Sequence, residues 1–77
     1  MLEEHDRIVL TDDLPPSCLR AGDVGTIVHV HRGGEAFEVE FLALDGSTAA
    51  VETVPGSGLR PVAITDLTYA RVLERAG

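Results

Sequence analysis

The side chains that could do chemistry in this sequence lie close together in one short stretch. His29 and His31 are two residues apart in a strand-like run, so their side chains point to the same face of that strand. A predicted hairpin places Glu38 directly across from His29. Two imidazoles and a carboxylate could bind a divalent metal ion, and a solvated strand face with a modest His29–Glu38 pair also explains them. We favour the solvated face, because metal-binding signatures normally carry more ligands at fixed spacing.

The remaining reactive residue types do not combine into a catalytic centre. Cys18 is the one cysteine of the chain, and a nucleophilic thiol needs a positioned base, so we expect a half-buried structural thiol. His5 could join the other imidazoles only if the N-terminal residues fold back. Asp12, Asp13 and Asp45 fall in loops, where carboxylates form turns and caps. We therefore expect a protein that is not an enzyme and that carries no cofactor.

The charge balance is strongly acidic and limits the kinds of partner. Thirteen acidic residues face six basic ones, all of them Arg, and the formal net charge is −7. A protein that binds a phosphate backbone needs clustered Lys or Arg, so we expect neither nucleic acid nor an anionic membrane as a partner. An acidic surface favours a basic protein partner, and Asp12 and Asp13 are candidates for contacting it. The alternative is that the charge only keeps a small protein soluble.

No stretch of the sequence has the character of a membrane-directed segment. The apolar runs stay well below the ~20 residues that are needed to span a bilayer, and the charged first residues do not form the apolar stretch of a signal peptide. A single cysteine allows no intramolecular disulfide. We expect a cytoplasmic protein.

Five short strand signals alternate with turn signals along the chain, which is typical of a small all-β domain. The paired prolines Pro15–Pro16 cannot supply ladder N–H groups, so residues 11–21 should form a long loop. Gly22 and Gly25 should turn this loop into the second strand. Pro61 confines the very short last strand to an edge of the sheet. The predicted strands are Arg7–Leu10, Gly25–His31, a third around Phe37–Phe41, Thr48–Val54 and Leu59–Val62.

The first hairpin has a register that follows from its turn. If Gly33 and Gly34 form a two-residue turn with positive φ, His29 lies opposite Glu38 and each strand has one apolar face. A slip by one residue would bring glutamates into the core. The predicted core face of this hairpin contains Val28, Val30, Phe37, Val39 and Phe41.

The second hairpin allows two loops, which place different residues in the core. A two-residue Asp45–Gly46 loop would set Val39 opposite Glu52. Burying that carboxylate without a partner would cost several kcal/mol or force its protonation. A three-residue loop, Leu44–Gly46, sets Val39 opposite Val51 instead. We therefore predict the three-residue loop, with Gly46 in the left-handed conformation.

Beyond the fifth strand, the pattern predicts a short helix over residues about 66–75. Thr65 is a good N-cap residue, and an apolar stripe runs through Leu67, Ala70 and Leu73. Basic residues near the end of this segment suit the C-terminus of a helix.

An apolar group is predicted on the face of the sheet opposite the core. The predicted register places Ile27, Leu42 and Leu44 there, beside Glu40. The helix of residues about 66–75 is the obvious cover, because small sheets usually bury a second apolar face under a helix. The alternative is that this group contacts a protein partner or a second copy of the chain.

One long loop, two hairpins and a short last strand suggest a mainly β fold, a five-stranded SH3-like small barrel with a short C-terminal helix. Four segments, in this order, resemble domain-of-unknown-function family 4926 over roughly residues 2–62. The segments are DRIVLTDDLP, LRAGDVGTIVHV, FEVEFLALDG and LRPV. The resemblance implies the barrel, which we expect over residues about 6–62 of a single domain that spans residues 1–77.

The resemblance also implies a function. Members of the family look like companions of small toxin-like proteins, which implies an antitoxin or immunity-type protein-interaction module. The segment AGDVGTIV is similar to the glycine-containing turn of KOW modules, SH3-like domains that often bind RNA or ribosomal proteins. This chain departs from their basic character because it has no Lys. Protein binding is our leading hypothesis, and a KOW-like module that binds RNA or ribosomal or transcription components is the alternative.

Overall fold

The computed structural model describes residues 2–68 and 70–73, and five strands in them form one antiparallel sheet. The strands are β1 (Arg7–Leu10), β2 (Val24–His31), β3 (Ala36–Leu42), β4 (Thr48–Pro55) and β5 (Leu59–Pro61). The order across the sheet is β4-β3-β2-β1-β5, so β4 and β5 are its edges. The mainly β class and the five strands are confirmed.

The connections are short apart from the loop between β1 and β2. A 3₁₀ turn, Pro15–Ser17, lies in that loop, and a second one, Gly56–Gly58, leads into β5. Pro61 ends β5 on an edge of the sheet, as predicted. The described residues form no ladder between β4 and β5, so the sheet is open where the sequence predicts a closed barrel.

One hydrophobic core lies on a single face of the sheet. Burial of a large aliphatic or aromatic side chain contributes roughly 1.5–3 kcal/mol, and side chains from all five strands take part. Val30 packs against the core and is partly buried. The core side chains are those of Ile8, Leu10, Leu19, Ile27, Phe37, Val39, Phe41, Val54 and Leu59.

The hairpin of β2 and β3 keeps the predicted register near its turn. His29 lies opposite Glu38, as expected. The turn is centred one residue earlier than predicted, because Arg32 and Gly33, at φ values of 45° and 67°, occupy its middle. Gly34 follows with a positive φ of 108°. Glycine at two of these three positions relieves the strain that L side chains have there.

A β-bulge in β2 reverses the predicted facing of two residues. The register shifts between Ile27 and His29, so Ile27, and not Val28, lies opposite Val39. Ile27 is 0% exposed and belongs to the core, whereas Val28 is 39% exposed. The prediction that Ile27 faces outward is therefore wrong. A bulge inserts one extra residue into a strand and thereby changes which residues face the core.

The hairpin of β3 and β4 has the register that the burial argument rejects. Val39 lies opposite Glu52 and not opposite Val51, and the ladder shifts before Leu42 pairs with Thr48. The predicted three-residue loop Leu44–Gly46 is nevertheless formed, since the Ala43 N–H donates to the Ser47 carbonyl at 2.8 Å and Leu42 pairs with Thr48. A β-bulge near the start of β4 then shifts the register by one residue, and Glu52, on an edge strand, remains half-exposed. Gly46 has a φ of +90°, so its predicted left-handed conformation is confirmed.

Gly25 allows β2 to pack closely against β3, and it does not form the predicted turn. A Cβ atom added to it would lie 2.5 Å from Cγ1 of Val39 and 3.0 Å from the ring of Phe41. Only a glycine lets β2 pass this close to the core side chains of β3. Gly22, with a φ of +98°, does have the predicted turn role.

The predicted C-terminal helix is not formed in the part of the chain that the structure describes. Residues 66–68 and 70–73 have no helical hydrogen-bonding pattern, and residues 74 and 75 lie outside the described residues. Asp66 instead closes a turn, in which its N–H donates to the Ala63 carbonyl at 3.0 Å and its carboxylate accepts from the Ala63 N–H at 2.6 Å. The helix N-cap that the sequence predicts is replaced by this turn.

The predicted apolar lid is likewise not assembled from residues 66–68 and 70–73. Leu67 is 87% exposed, so it covers nothing on the sheet. Leu73 is the exception, since it packs against the core. No helix among the described residues is long and apolar enough to span a membrane.

Candidate functional site

The histidines and the glutamate that could do chemistry are brought together on the face opposite the core. His31 Nε2 lies 3.0 Å from Glu38 Oε2, and Thr53 Oγ1 donates to the same oxygen at 2.9 Å. The rings of His29 and His31 meet edge to face, with centroids 4.7 Å apart. His29 is the cross-strand neighbour of Glu38, but the hydrogen bond is made by His31.

These contacts satisfy the carboxylate within the protein. The hydrogen bond with His31, followed by that from Thr53 and the nearby imidazole charges, holds the pKa of Glu38 below its ordinary value of 4.5. Its carboxylate is therefore ionised at neutral pH. Across residues 2–68 and 70–73, no group of three or more His, Cys, Asp or Glu is arranged to hold a metal ion.

The glutamates on the outer face of β3 both contact threonines of β4. Thr48 Oγ1 donates to Glu40 Oε2 at 2.7 Å, and Thr53 Oγ1 donates to Glu38 at 2.9 Å. Both carboxylates are thereby held beside the edge strand. The predicted register places Thr53 on the other face of β4, so the sequence does not indicate its contact with Glu38, whereas Thr48 lies opposite Leu42 as the predicted loop requires.

Residues 33–59, which contain β3 and β4, carry negative charge only, between Arg32 in the β2–β3 turn and Arg60 in β5. We call residues 33–59 the acidic hairpin: this stretch contains five acidic residues and no Lys, Arg or His. It therefore accounts for most of the net charge of −7. The five are Glu35, Glu38, Glu40, Asp45 and Glu52.

Exposed apolar side chains lie among these carboxylates. Leu42 and Leu44 are exposed, as predicted, and Ile27 is not part of the group because it is buried. Val51 is 47% exposed and pairs with Glu40, a placement that the sequence argument missed. We call Leu42, Leu44 and Val51 the apolar patch. The alternative Asp45–Gly46 loop register would have placed Val51 on this face.

Asp12 and Asp13 do not join the acidic hairpin. They lie in the long loop after β1, and β1 is separated from β4 by two strands. Asp13 accepts a hydrogen bond from the Ala21 N–H at 2.8 Å, which is the expected loop-stabilising role. Both remain exposed.

Two arginines outside the acidic hairpin are bound by carboxylates. Arg60 donates to both carboxylate oxygens of Asp66, at 2.9 and 2.7 Å. Arg71 donates to both oxygens of Asp23 and to the Cys18 carbonyl at 3.1 Å. The second pair joins residues that are 48 positions apart, so the local sequence gives no signal of it.

The Arg71 contact changes the titration of its partner. Partial burial acts to raise the pKa of Asp23, and the hydrogen bonds from Arg71 and from the Arg20 N–H outweigh it. The pKa of Asp23 therefore lies below its ordinary value of 3.8. Cys18, whose carbonyl accepts from Arg71, is half-buried, as expected.

Comparison with known proteins gives one family match. The family described as Domain of unknown function (DUF4926) matches residues 4–61. This chain belongs to the DUF4926 family. No curated protein and no solved structure matches the chain.

The DUF4926 match covers all five strands and ends at Pro61. It therefore contains the whole acidic hairpin, the apolar patch and the His31–Glu38 pair. The segment with Asp66 and Arg71 lies beyond the matched residues. The matched residues are thus the sheet itself, with the surface described above.

Proposed function

We propose that this DUF4926 protein is a non-enzymatic interaction module that binds a basic protein through the acidic hairpin. In the role that the family resemblance implies, it neutralises a toxin-like partner as an antitoxin or immunity-type protein. The finer architecture that we propose is an SH3-like barrel that stays open between β4 and β5. The strand order and the 3₁₀ turn before β5 support that architecture.

The segregation of charge is the observation that carries this proposal. Five acidic residues lie in the acidic hairpin without one basic residue between them. A surface of one sign raises the rate of encounter with a partner of opposite sign and excludes partners of like sign. If the negative charge only kept the protein soluble, the acidic residues would not need to be segregated in one part of the chain.

The apolar patch supports the same reading. Leu42 and Val51 are half-exposed on the face that carries Glu40. Protein interfaces typically combine an apolar centre with a polar and charged rim. A partner that covers the patch would remove apolar area from water while its basic groups meet the carboxylates.

Two of the six arginines favour a protein partner over RNA. Arg60 and Arg71 each donate to a carboxylate within the chain. An arginine that is already paired gives up that contact before it can bind a phosphate. A KOW-like role at RNA therefore gains no support from these two residues.

The test is co-expression of the full chain with the products of its neighbouring genes, followed by size-exclusion chromatography. We expect one basic neighbour to form a complex of defined stoichiometry. The variant Glu40→Gln/Glu52→Gln should weaken the complex at least tenfold, because it removes two charges from the acidic hairpin. The matched control Asp12→Asn/Asp13→Asn removes two charges elsewhere and should leave the affinity within a factor of two or so.

Two results would contradict the proposal. One is that no neighbouring product forms a complex. The other is that the control variant loses as much affinity as the hairpin variant, which would mean that only the total charge matters.

A further inference from the structure

The free edge of β4 offers a backbone surface that the rest of the fold leaves open. In the described residues β4 pairs with β3 alone, so one side of this eight-residue strand has no ladder partner. Proteins usually protect such edges with Lys, Pro, bulges or short strand length. β4 contains no Lys or Arg, its one proline is its last residue, Pro55, and its bulge lies near its start, between Thr48 and Ala50, so Val51 to Val54 form a regular stretch of edge.

The hydrogen-bonding pattern identifies the groups that face this edge. The Gly56 N–H donates to the Glu35 carbonyl at 3.0 Å. In an antiparallel ladder, residues alternate between bonding the partner strand and pointing away from it. Counting back from Gly56 places the N–H and C=O groups of Val51 and Thr53 on the open side. Pro55 falls at an outward position too, where its missing N–H costs no ladder bond.

Carboxylates flank this edge on both faces of the sheet. Thr53 and Thr48 hold Glu38 and Glu40 beside β4 on the outer face. Glu52 lies on the opposite face, across from Val39. A strand added to β4 would lie ~4.8 Å away, within the reach of Lys and Arg side chains to these carboxylates.

We propose that β4 is a docking edge, to which an extended basic segment of the partner protein adds as a sixth strand. Its backbone bonds the outward groups of Val51 and Thr53, and its Lys or Arg side chains meet Glu38 and Glu40 on the outer face, while a basic residue that points to the other face would meet Glu52. Charge complementarity selects this occupant, because a second copy of the chain would bring another acidic hairpin against the first. This inference rests on the proposed function and adds to it the mode of binding and the chemistry of the bound segment.

The experiment uses the full chain labelled with ¹⁵N and an eight-residue peptide of alternating Arg and Val with blocked ends. We expect saturable amide shifts along β4 and at least threefold slower hydrogen exchange of the Val51 and Thr53 amides. A peptide of alternating Glu and Val should not bind. Shifts that map away from β4, or the absence of binding by the Arg–Val peptide, would overturn the proposal.

Two controls separate strand addition from charge attraction alone. The same Arg–Val peptide, N-methylated at every second residue so that one edge cannot donate, should bind at least tenfold more weakly. The variant Val51→Pro should also lose binding, whereas Val51→Thr should keep it. Equal binding of the methylated and parent peptides would overturn the docking edge and leave the acidic surface in place.

A partner obtained by co-expression distinguishes a failure of the proposed function from a failure of the docking edge. If Glu40→Gln/Glu52→Gln loses that partner while Val51→Pro retains it, the proposed function stands and the docking edge is wrong. A free chain that sediments as a dimer with protected Val51 and Thr53 amides would assign the edge to a second copy and overturn the proposal.

Discussion

Asp66 closes a turn after β5 and does not begin the helix that the sequence predicts. It accepts two hydrogen bonds from Arg60 and one from the Ala63 N–H. The Arg60 hydrogen bond, followed by the Ala63 one, lowers the pKa of Asp66 to about 2. From the sequence, Asp66 after Thr65 is typical of a helix start, because the contact with Arg60 is not visible in the local pattern.

The lowered pKa of Asp66 predicts a pH-dependent contribution to stability. A carboxyl whose pKa is lower in the folded state stabilises the fold above its ordinary value of 3.8, and this contribution is lost as the pH falls toward about 2. The difference in free energy of unfolding between wild type and Asp66→Asn should be constant above about pH 5 and shrink as the pH falls from there to about 2. Urea unfolding across this range measures it, and a difference that does not change with pH would contradict the assignment.

Gly25 carries a second residue-scale prediction. Its substitution by Ala places a methyl group 2.5 Å from Cγ1 of Val39, so the core must shift. Overpacking of this kind costs about 1–3 kcal/mol of unfolding free energy. In a Val39→Ala background the same methyl group should cost less, because the obstructing carbon is absent. An equal cost in both backgrounds would show that backbone conformation, and not packing, requires Gly25.

At the scale of elements, strand positions were predictable and registers were only partly so. Alternating apolar residues and turn glycines place all five strands, and Arg7–Leu10 has the predicted bounds. The bulge in β2 was not predictable, because Ile27 and Val28 are both apolar and the alternating pattern accepts either in the core. The three-residue loop before β4 was predictable, but the bulge that follows it was not, and this bulge sets Val39 opposite Glu52, which the edge strand leaves half-exposed.

The two register errors, in β2 and in β4, also explain which residues of the acidic hairpin and the apolar patch the sequence places correctly. Glu40 and Leu42 were placed on the outer face correctly, since their facing depends on β3 alone, and Leu44, in the turn after β3, is exposed as predicted. Val51 and Thr53 were missed because the bulge in β4 shifts its register. Ile27 was wrongly included, because the bulge turns it into the core.

The bulge predicts a contrast between two neighbouring residues of β2. Ile27→Ala should cost about 2–5 kcal/mol of unfolding free energy, because it empties space in the core. Val28→Ala should cost less than about 1 kcal/mol, because that side chain is largely outside the core. Chemical denaturation of both variants gives the comparison. The reverse order would mean that β2 pairs without a bulge.

At the scale of the whole molecule, charge and sheet order divide the protein into two parts. The acidic hairpin carries the open edge and five acidic residues without a basic one, whereas Arg60 and Arg71, outside the acidic hairpin, are bound by carboxylates. Composition alone shows that the chain is acidic. Only the fold shows that the carboxylates of the acidic hairpin, the apolar patch and an unpaired strand edge coincide.

The salt dependence of partner affinity tests the central claim, that the acidic hairpin binds a basic protein. The measurement is the dissociation constant of the co-expressed partner for wild type and Glu40→Gln/Glu52→Gln, at about 50 mM and about 500 mM NaCl. Screening should weaken the wild-type complex strongly and the variant complex less, so that the two affinities converge at high salt. An affinity that is unaffected by salt, or that is equal for the two proteins at low salt, would contradict the account.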